Sequence, residues 1–194
     1  MNYLPLTQEE IDTRYFELQM RHLGISPRFF NVSFDLMEQT DAVRTCRRWC
    51  DDFRKGVATN GLLLIGPVGT GKTTLASAIM RELRVGRLCK MRAVLADLKD
   101  SYNGGDAELW QTCLVAPLLI LDDMGTEQQN NREWLQGVFY DLVDHRYEYC
   151  LPTILTSNAT LAELQDYLSL PVVDRLRSMC TLVVLSGQSR RETA

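Results

Sequence analysis

The chain has 194 residues, 45% hydrophobic and 24% charged, with a formal net charge of −4, a balance that suits one soluble globular domain with a sizeable core. An acidic total excludes a global basic field, so any nucleic-acid contact must come from a local patch. Six cysteines without a Cys-x-x-Cys pair, accompanied only by His22 and His145, exclude the usual zinc spacings and fit small core thiols of a reducing compartment. No apolar run approaches a membrane span, and the polar, acidic start lacks signal-peptide regions. A soluble cytoplasmic protein with no membrane partner is expected.

Thr7 and Glu10 form a capping box, Leu6 can staple onto Ile11, and Ile11, Tyr15, Leu18 and His22 fall on one helical stripe that stops at Gly24. That helix either docks on its own domain or presents its stripe to a partner. Ser26-Pro27 reads as a second helix start, leading into Phe29, Phe30 and Phe34, aromatics close enough together to suggest core. Val43, Cys46, Cys50 and Phe53 recur at helical spacing up to Gly56, with Arg44, Arg47 and Arg48 on a solvated face.

The apolar run 61–65 then enters Gly66-Pro67-Val68-Gly69-Thr70-Gly71-Lys72-Thr73-Thr74, which fits a phosphate loop. A triphosphate tail needs several backbone N–H groups turned toward it, and glycine lets the chain curl that tightly. The following helix adds its positive N-terminal end. Lys72 is placed for the β- and γ-phosphates and Thr73 for Mg²⁺. Leu75, Ile79 and Leu83 continue one helix face.

Leu88 to Val94 reads as a strand, Ala93 to Tyr102 as a helix, and Asn103-Gly104-Gly105-Asp106 as a break. Val115 to Leu121 reads as a buried parallel strand ending in Asp122-Asp123. Asp122 is placed to hold the Mg²⁺ hydration shell, and Asp123 to orient or deprotonate the attacking water. Leu135, Val138, Phe139, Leu142 and Val143 mark an amphipathic helix. Pro152 to Leu155 reads as a strand leading to Thr156-Ser157-Asn158; Asn158 suits either a γ-phosphate sensor or a strand-end turn. Thr160 with Glu163 caps a helix through Leu168, Val172 to Met179 is a short helix, and Thr181 to Leu185 a last strand. Arg175 and Arg177, in Asp-Arg-Leu-Arg, fit either transition-state stabilisation at a neighbour's phosphate or surface salt bridging. Strands alternating with helices predict an α/β fold, a parallel sheet covered on both faces.

Taken together, the phosphate loop, Leu-Asp-Asp-Met-Gly-Thr-Glu, Thr-Ser-Asn, Asp-Arg-Leu-Arg and Ser189-Arg190-Arg191 resemble the AAA+ ATPase domain of bacterial replicative-helicase loaders of the DnaC/DnaI type. The segment from Gly24 to Phe29 is similar to that family's entry into the domain. The resemblance implies a helical extension over 1–24 and a three-layer α/β/α AAA+ domain over 25–194. It further implies a homo-oligomer with ATP between subunits, Asn158 as first sensor, Arg175 as arginine finger and Arg191 as second sensor. Phe29, Phe30 and Phe34 would help form the adenine side. Single-stranded DNA would meet Lys99 with Tyr102, and Arg132 with Trp134. The partner would be a replicative hexameric DNA helicase. Asp123 stands where many such enzymes carry glutamate, which implies slow hydrolysis. The short N-terminal region implies that its helix grips the helicase alone or that the chain is an excised module, and the early stop past Arg191 implies no further DNA-binding domain. IstB-like transposition helpers share these motifs and make the first alternative. A small-molecule kinase, which would need an arginine-rich lid, is the second. A weak module using ATP only for shape is the third.

Overall fold

A computed structural model describes residues 7–58, 60–125 and 131–187. In chain order the elements are α1 (Gln8–His22), single 3-10 turns at Pro27–Phe29 and Phe34–Leu36, α2 (Asp41–Arg54), β1 (Gly61–Ile65), α3 (Lys72–Leu83), β2 (Arg87–Lys90), α4 (Met91–Ser101), α5 (Glu108–Val115), β3 (Leu119–Met124), α6 (Arg132–Glu148), β4 (Thr153–Ser157), α7 (Leu161–Tyr167), α8 (Leu170–Met179) and β5 (Cys180–Val184). The strands pair in the order β2–β3–β4–β1–β5, and every pairing is parallel. Side chains alternate across each strand. Leu62 and Leu64 therefore enter a core with α1, α2 and α3, and Leu63 and Ile65 enter another with α4, α6 and α8. The sheet is covered on both faces, as its continuous apolar strands require.

Two boundaries differ from the sequence reading. The strand expected over Leu88 to Val94 stops at Lys90, because Met91, Val94, Leu95 and Leu98 already follow helical spacing and are all buried on α4. The strand expected from Val115 starts only at Leu119. Val115 closes α5, and Ala116 is extended before Pro117, as the proline ring demands. Ser26-Pro27 opens a single 3-10 turn rather than a full helix. The solvated face of α2 is as expected: Arg44 and Arg47 are exposed and pair with Asp41 and Asp35.

Helix α1 has the expected capping box, in which Thr7 and Glu10 bond reciprocally. The helix docks on its own domain, but not through the stripe read from the sequence. Ile11, Tyr15 and Leu18 are 45%, 64% and 64% exposed, while Phe16, Met20 and Leu23 pack into the core that holds Leu62 and Leu64. Two apolar stripes run along this helix, and the later one wins because it is continuous with Ile25 and Phe30. The turn after α1 lies against β2: the Leu88 N–H donates to the Leu23 carbonyl at 2.8 Å. Gly24 makes that approach possible, since a Cβ there would fall 1.9 Å from the Leu88 carbonyl oxygen. Leu6, the proposed staple, lies outside the described residues. Among those described, no helix is long and apolar enough to cross a membrane.

A fully buried arginine fastens the lower layer. Arg146 of α6 is 0% exposed. It donates to the carbonyls of Cys113 (2.8 Å), Leu114 (3.2 Å), Ala116 (3.0 Å) and Pro152 (2.8 Å), and its Nε to the Thr153 hydroxyl (2.7 Å). Those acceptors include C-terminal carbonyls of α5, which no longer helix satisfies. Desolvation pulls its pKa down to about 10. Arg146→Ala leaves those buried acceptors unpaired and should destabilise the domain by roughly 3–5 kcal/mol. Urea unfolding of the two proteins measures the loss.

Candidate functional site

The carboxyl ends of β1, β3 and β4 meet at one cleft, the usual ligand position in an open parallel sheet. Beyond Ile65 the chain forms the loop, and α3 begins at Lys72. Gly71 caps that helix with φ of +93°, a backbone that other residues adopt only with strain. The loop is internally bonded: the Thr70 hydroxyl donates to the Pro67 carbonyl at 2.9 Å. The Lys72 ammonium donates to the carbonyls of Gly66 (2.6 Å) and Pro67 (2.8 Å), although Lys72 is only 7% exposed. A buried ammonium held at the mouth of a glycine-rich loop is a built anion site.

Asp122 closes the other side. It is 3% exposed, and its carboxylate accepts from the Thr73 hydroxyl (2.9 and 3.1 Å) and from the Thr156 hydroxyl (2.7 Å). Burial raises its pKa above the ordinary carboxylate value. The Thr156 and Thr73 hydrogen bonds pull the other way, Asp123 adds to the rise and Lys90 opposes it. A desolvated carboxylate beside a threonine hydroxyl is an all-oxygen donor pair, so Thr73 and Asp122 fit a hard cation such as Mg²⁺ once phosphate oxygens complete the shell.

Asp123 differs from Asp122 in kind. The β3–β4 register shifts between Leu121 and Met124, and Asp123 sits in the left-handed region with φ of +66°. This kink leaves Asp123 exposed while Asp122 stays buried. The Asp123 N–H donates to the Thr156 oxygen at 2.9 Å, and its carboxylate accepts from the Asn158 side-chain amide at 3.2 Å. Lys72, Thr73, Asp122, Asp123 and Asn158 thus line one cavity of about 610 Å³, with Val68, Gly69, Gly71 and Thr74 along its loop wall.

Thr156 is the residue that sequence reasoning missed. Its one hydroxyl accepts from the Asp123 backbone and donates to Asp122, so it sets the spacing of the two acids. In the sequence it reads as an ordinary strand former. The available signal was a threonine and a serine ending an otherwise apolar buried strand, where each hydroxyl needs a partner; Ser157 donates to the Met124 carbonyl. Arg28, Phe29 and Lys90 also line the cavity. Phe30 and Phe34 do not; they are core. A second cavity, of about 340 Å³, meets Thr70, Gly71 and Thr74 from the β5 side and is walled by Met37, Val43, Arg44 and Leu185.

The remaining candidates lie elsewhere. Arg175 is on α8, outside the cavity, bonded to Asp144 and Tyr140 of α6. Lys99, Tyr102 and Trp134 form one cluster: the Lys99 ammonium lies 4.7 Å from the centre of the Trp134 ring, and the Trp134 indole N–H reaches the Tyr102 hydroxyl at 3.5 Å. Two contact regions that are separate in sequence are therefore contiguous. Arg132 is exposed at the start of the same helix as Trp134. Arg191 lies outside the described residues.

In this sheet β4 lies between the loop strand β1 and the acid strand β3, which puts Asn158, just past the end of β4, between the loop and the acids. This is the arrangement of an AAA+ P-loop ATPase. The chain belongs to the family of IstB-like ATP-binding proteins, whose model matches residues 9–194. Among solved structures it is similar to the DnaC helicase loader, with 26% identity over 83% of this chain and 100% of that one, at a TM-score of 0.73. It is similar in fold to DnaI, with 24% identity over 89% and 100% of the two chains and a TM-score of 0.73. It is also similar in fold to AMPPCP-bound DnaA from Aquifex aeolicus, with 21% identity over 86% and 53% and a TM-score of 0.67. No curated protein sequence matches at a significant level.

The raised pKa of Asp122 fixes the sign of a stability test. A carboxyl group whose native pKa is raised costs stability when charged, and that cost fades as pH falls through the native value. Asp122→Asn should therefore raise the melting temperature of the nucleotide-free protein at pH 7, with a smaller gain at pH 4. The same variant should lose the further rise that ATP with Mg²⁺ gives the parent protein. Thermal melts at both pH values, with and without ATP–Mg²⁺, check all three statements.

Proposed function

We propose that this ATPase is an assembly factor of the helicase-loader kind, which binds ATP, grips single-stranded DNA and delivers a replicative hexameric helicase. ATP lies along the loop from Gly66 to Thr74, with its γ-phosphate toward Asp123 and Asn158. The cavity beside Thr74 takes the nucleoside end, where Met37 and Val43 offer an apolar wall. Thr73 and Asp122 would hold Mg²⁺, which when bound would offset the charge of the phosphates. Asp123 takes the proton of the attacking water, and Asn158 orients that carboxylate. An aspartate reaches less far than a glutamate, so turnover is slow, as suits a timing switch. Arg175 of an adjacent copy supplies the transition-state cation that this cavity draws from outside, and Arg191 serves as second sensor in its own subunit.

The observation that carries the DNA reading is the Lys99–Trp134–Tyr102 cluster. A cation and two aromatic rings at a helix end suit phosphate contact plus base stacking, which is indifferent to sequence. Arg132 at the same helix start extends the basic edge. The similarity to the DnaC helicase loader supports a helicase as partner. Trp134→Ala should weaken binding of a labelled oligothymidine about tenfold or more, since stacking is worth roughly 1–3 kcal/mol per base. ATP affinity should stay unchanged. Fluorescence anisotropy measures the first and calorimetry the second; an unchanged oligothymidine affinity removes the cluster from the DNA site.

The second reading is a transposition helper acting on duplex DNA, favoured by the family match itself. The small-molecule kinase reading loses weight for the same reason. The exposed stripe of α1 separates the two DNA readings. Ile11, Tyr15 and Leu18 can become serine without touching the core residues Met20 and Leu23, whereas deleting the helix removes part of the core. The loader reading expects the parent chain to retain the host replicative helicase in a pull-down with ATP and single-stranded DNA, and the triple serine variant to lose it. Retention of a transposase instead, with preference for duplex DNA, establishes the second reading.

A further inference from the structure

Arg175 does not stand free on the surface. One nitrogen, Nη2, makes a 2.5 Å ion pair with Asp144 and reaches the Tyr140 hydroxyl at 3.3 Å. The guanidinium carbon lies 4.8 Å from the centre of the Tyr140 ring. Both partners are on α6, at positions 140 and 144, one helical turn apart and so on one face. The arginine and aspartate side chains are 25% and 27% exposed, and Tyr140 is 38% exposed. This small cradle therefore lies at the surface, within reach of a second copy.

A pair this close to solvent adds little to stability, so its consequence is orientation. Arginine has the largest rotamer freedom of any side chain that could act across an interface, and fixing it in advance removes an entropy cost from the reaction. The cradle fixes it in a particular way. Asp144, the Tyr140 hydroxyl and the ring hold one corner of the planar fork. Among the described residues, Nη1 and Nε make no hydrogen bond, so their N–H groups are left to donate to a phosphate.

We propose that Asp144 and Tyr140 are positioning residues for Arg175, holding it by Nη2 so that its remaining N–H groups meet the γ-phosphate of ATP bound by the adjacent subunit. This rests on the reading of Arg175 as the residue that acts across the interface. Asp144 thereby becomes part of the reaction in the neighbouring subunit although it touches neither nucleotide nor metal. Tyr140 limits swing through its ring and sets the plane through its hydroxyl.

The test measures steady-state ATP hydrolysis by the full chain, with oligothymidine present and at protein concentrations that drive assembly. Asp144→Ala should lower kcat about tenfold with KM for ATP unchanged, because the binding residues lie in the other subunit. Tyr140→Phe, which keeps the ring, should lower kcat about two- to threefold. Asp144→Glu should recover part of the loss. The decisive comparison is a double-mutant cycle: in an Arg175→Ala background, Asp144→Ala should have no further effect on kcat. A loss that persists there means Asp144 acts through the fold, and overturns the proposal. So does an Asp144→Ala variant with unchanged or higher kcat, the latter meaning that the cradle restrains the arginine. If Arg175→Ala itself leaves kcat intact, the reading of Arg175 falls first, and the positioning role falls with it. If Asp144→Ala does not fold, Tyr140→Phe with and without Arg175→Ala runs the same cycle.

Discussion

The buried carboxylate of Asp122 ties three elements that the chain contributes from distant positions. It accepts from Thr73 at the start of α3 and from Thr156 at the end of β4, while itself ending β3. Remove it and the phosphate loop, the acid strand and the sensor strand have no common polar point. Burial disfavours its charge, and the hydrogen bonds from Thr156 and Thr73 oppose that effect. The Thr156 hydroxyl extends the arrangement by one step, since it also receives the Asp123 N–H. A small displacement at Asp122 thus reaches Asp123 through two hydrogen bonds and Asn158 through a third.

At the other end of the sheet the problem is the same with the sign reversed. Arg146 brings a buried cation to a cluster of carbonyls, where the ends of α5 and the entry to β4 would otherwise lie unsatisfied. It holds the start of β4 as Asp122 holds its end. Strand β4 is therefore fixed at both ends by charged groups from neighbouring elements, and the residue between the phosphates and the acids, Asn158, follows directly after it. The precision of the site rests on that strand being unable to slide.

Most of the sheet was legible because its strands are short apolar runs closed by glycine, aspartate or serine, and such punctuation survives without any tertiary information. Where punctuation is missing the boundaries moved. Nothing in Lys90-Met91 marks the change from strand to helix, and the apolar run through Val115 conceals the end of α5. On α1 two stripes compete, and only packing against Ile25 and Phe30 decides for Phe16, Met20 and Leu23. The site divides in the same way. Lys72, Thr73 and Asp122 are legible because loop and strand geometry fix their spacing along the chain. Thr156 is not, since a threonine near the end of a strand looks the same whether or not two aspartates lie beside it. The joining of Lys99 to Trp134 depends on how α4 packs near the start of α6, which no local pattern encodes.

The distribution of cations gives the loop a particular meaning. Within the nucleotide cavity Lys72 is the buried one, and it is already engaged with the loop carbonyls of Gly66 and Pro67. Arg28 lines the same cavity, but the arginine that is braced, Arg175, is placed on α8, outside the cavity and held against α6. On the proposed reading, a subunit built this way would bind nucleotide with its own residues but depend on another copy for a braced guanidinium at the γ-phosphate, so that binding and turnover would belong to different states of assembly. Such a division suits a timing device better than a fast enzyme, because hydrolysis then reports that neighbours are in place. On that reading the short Asp123 side chain and the external arginine would act in the same direction, each lengthening the interval between ATP binding and release.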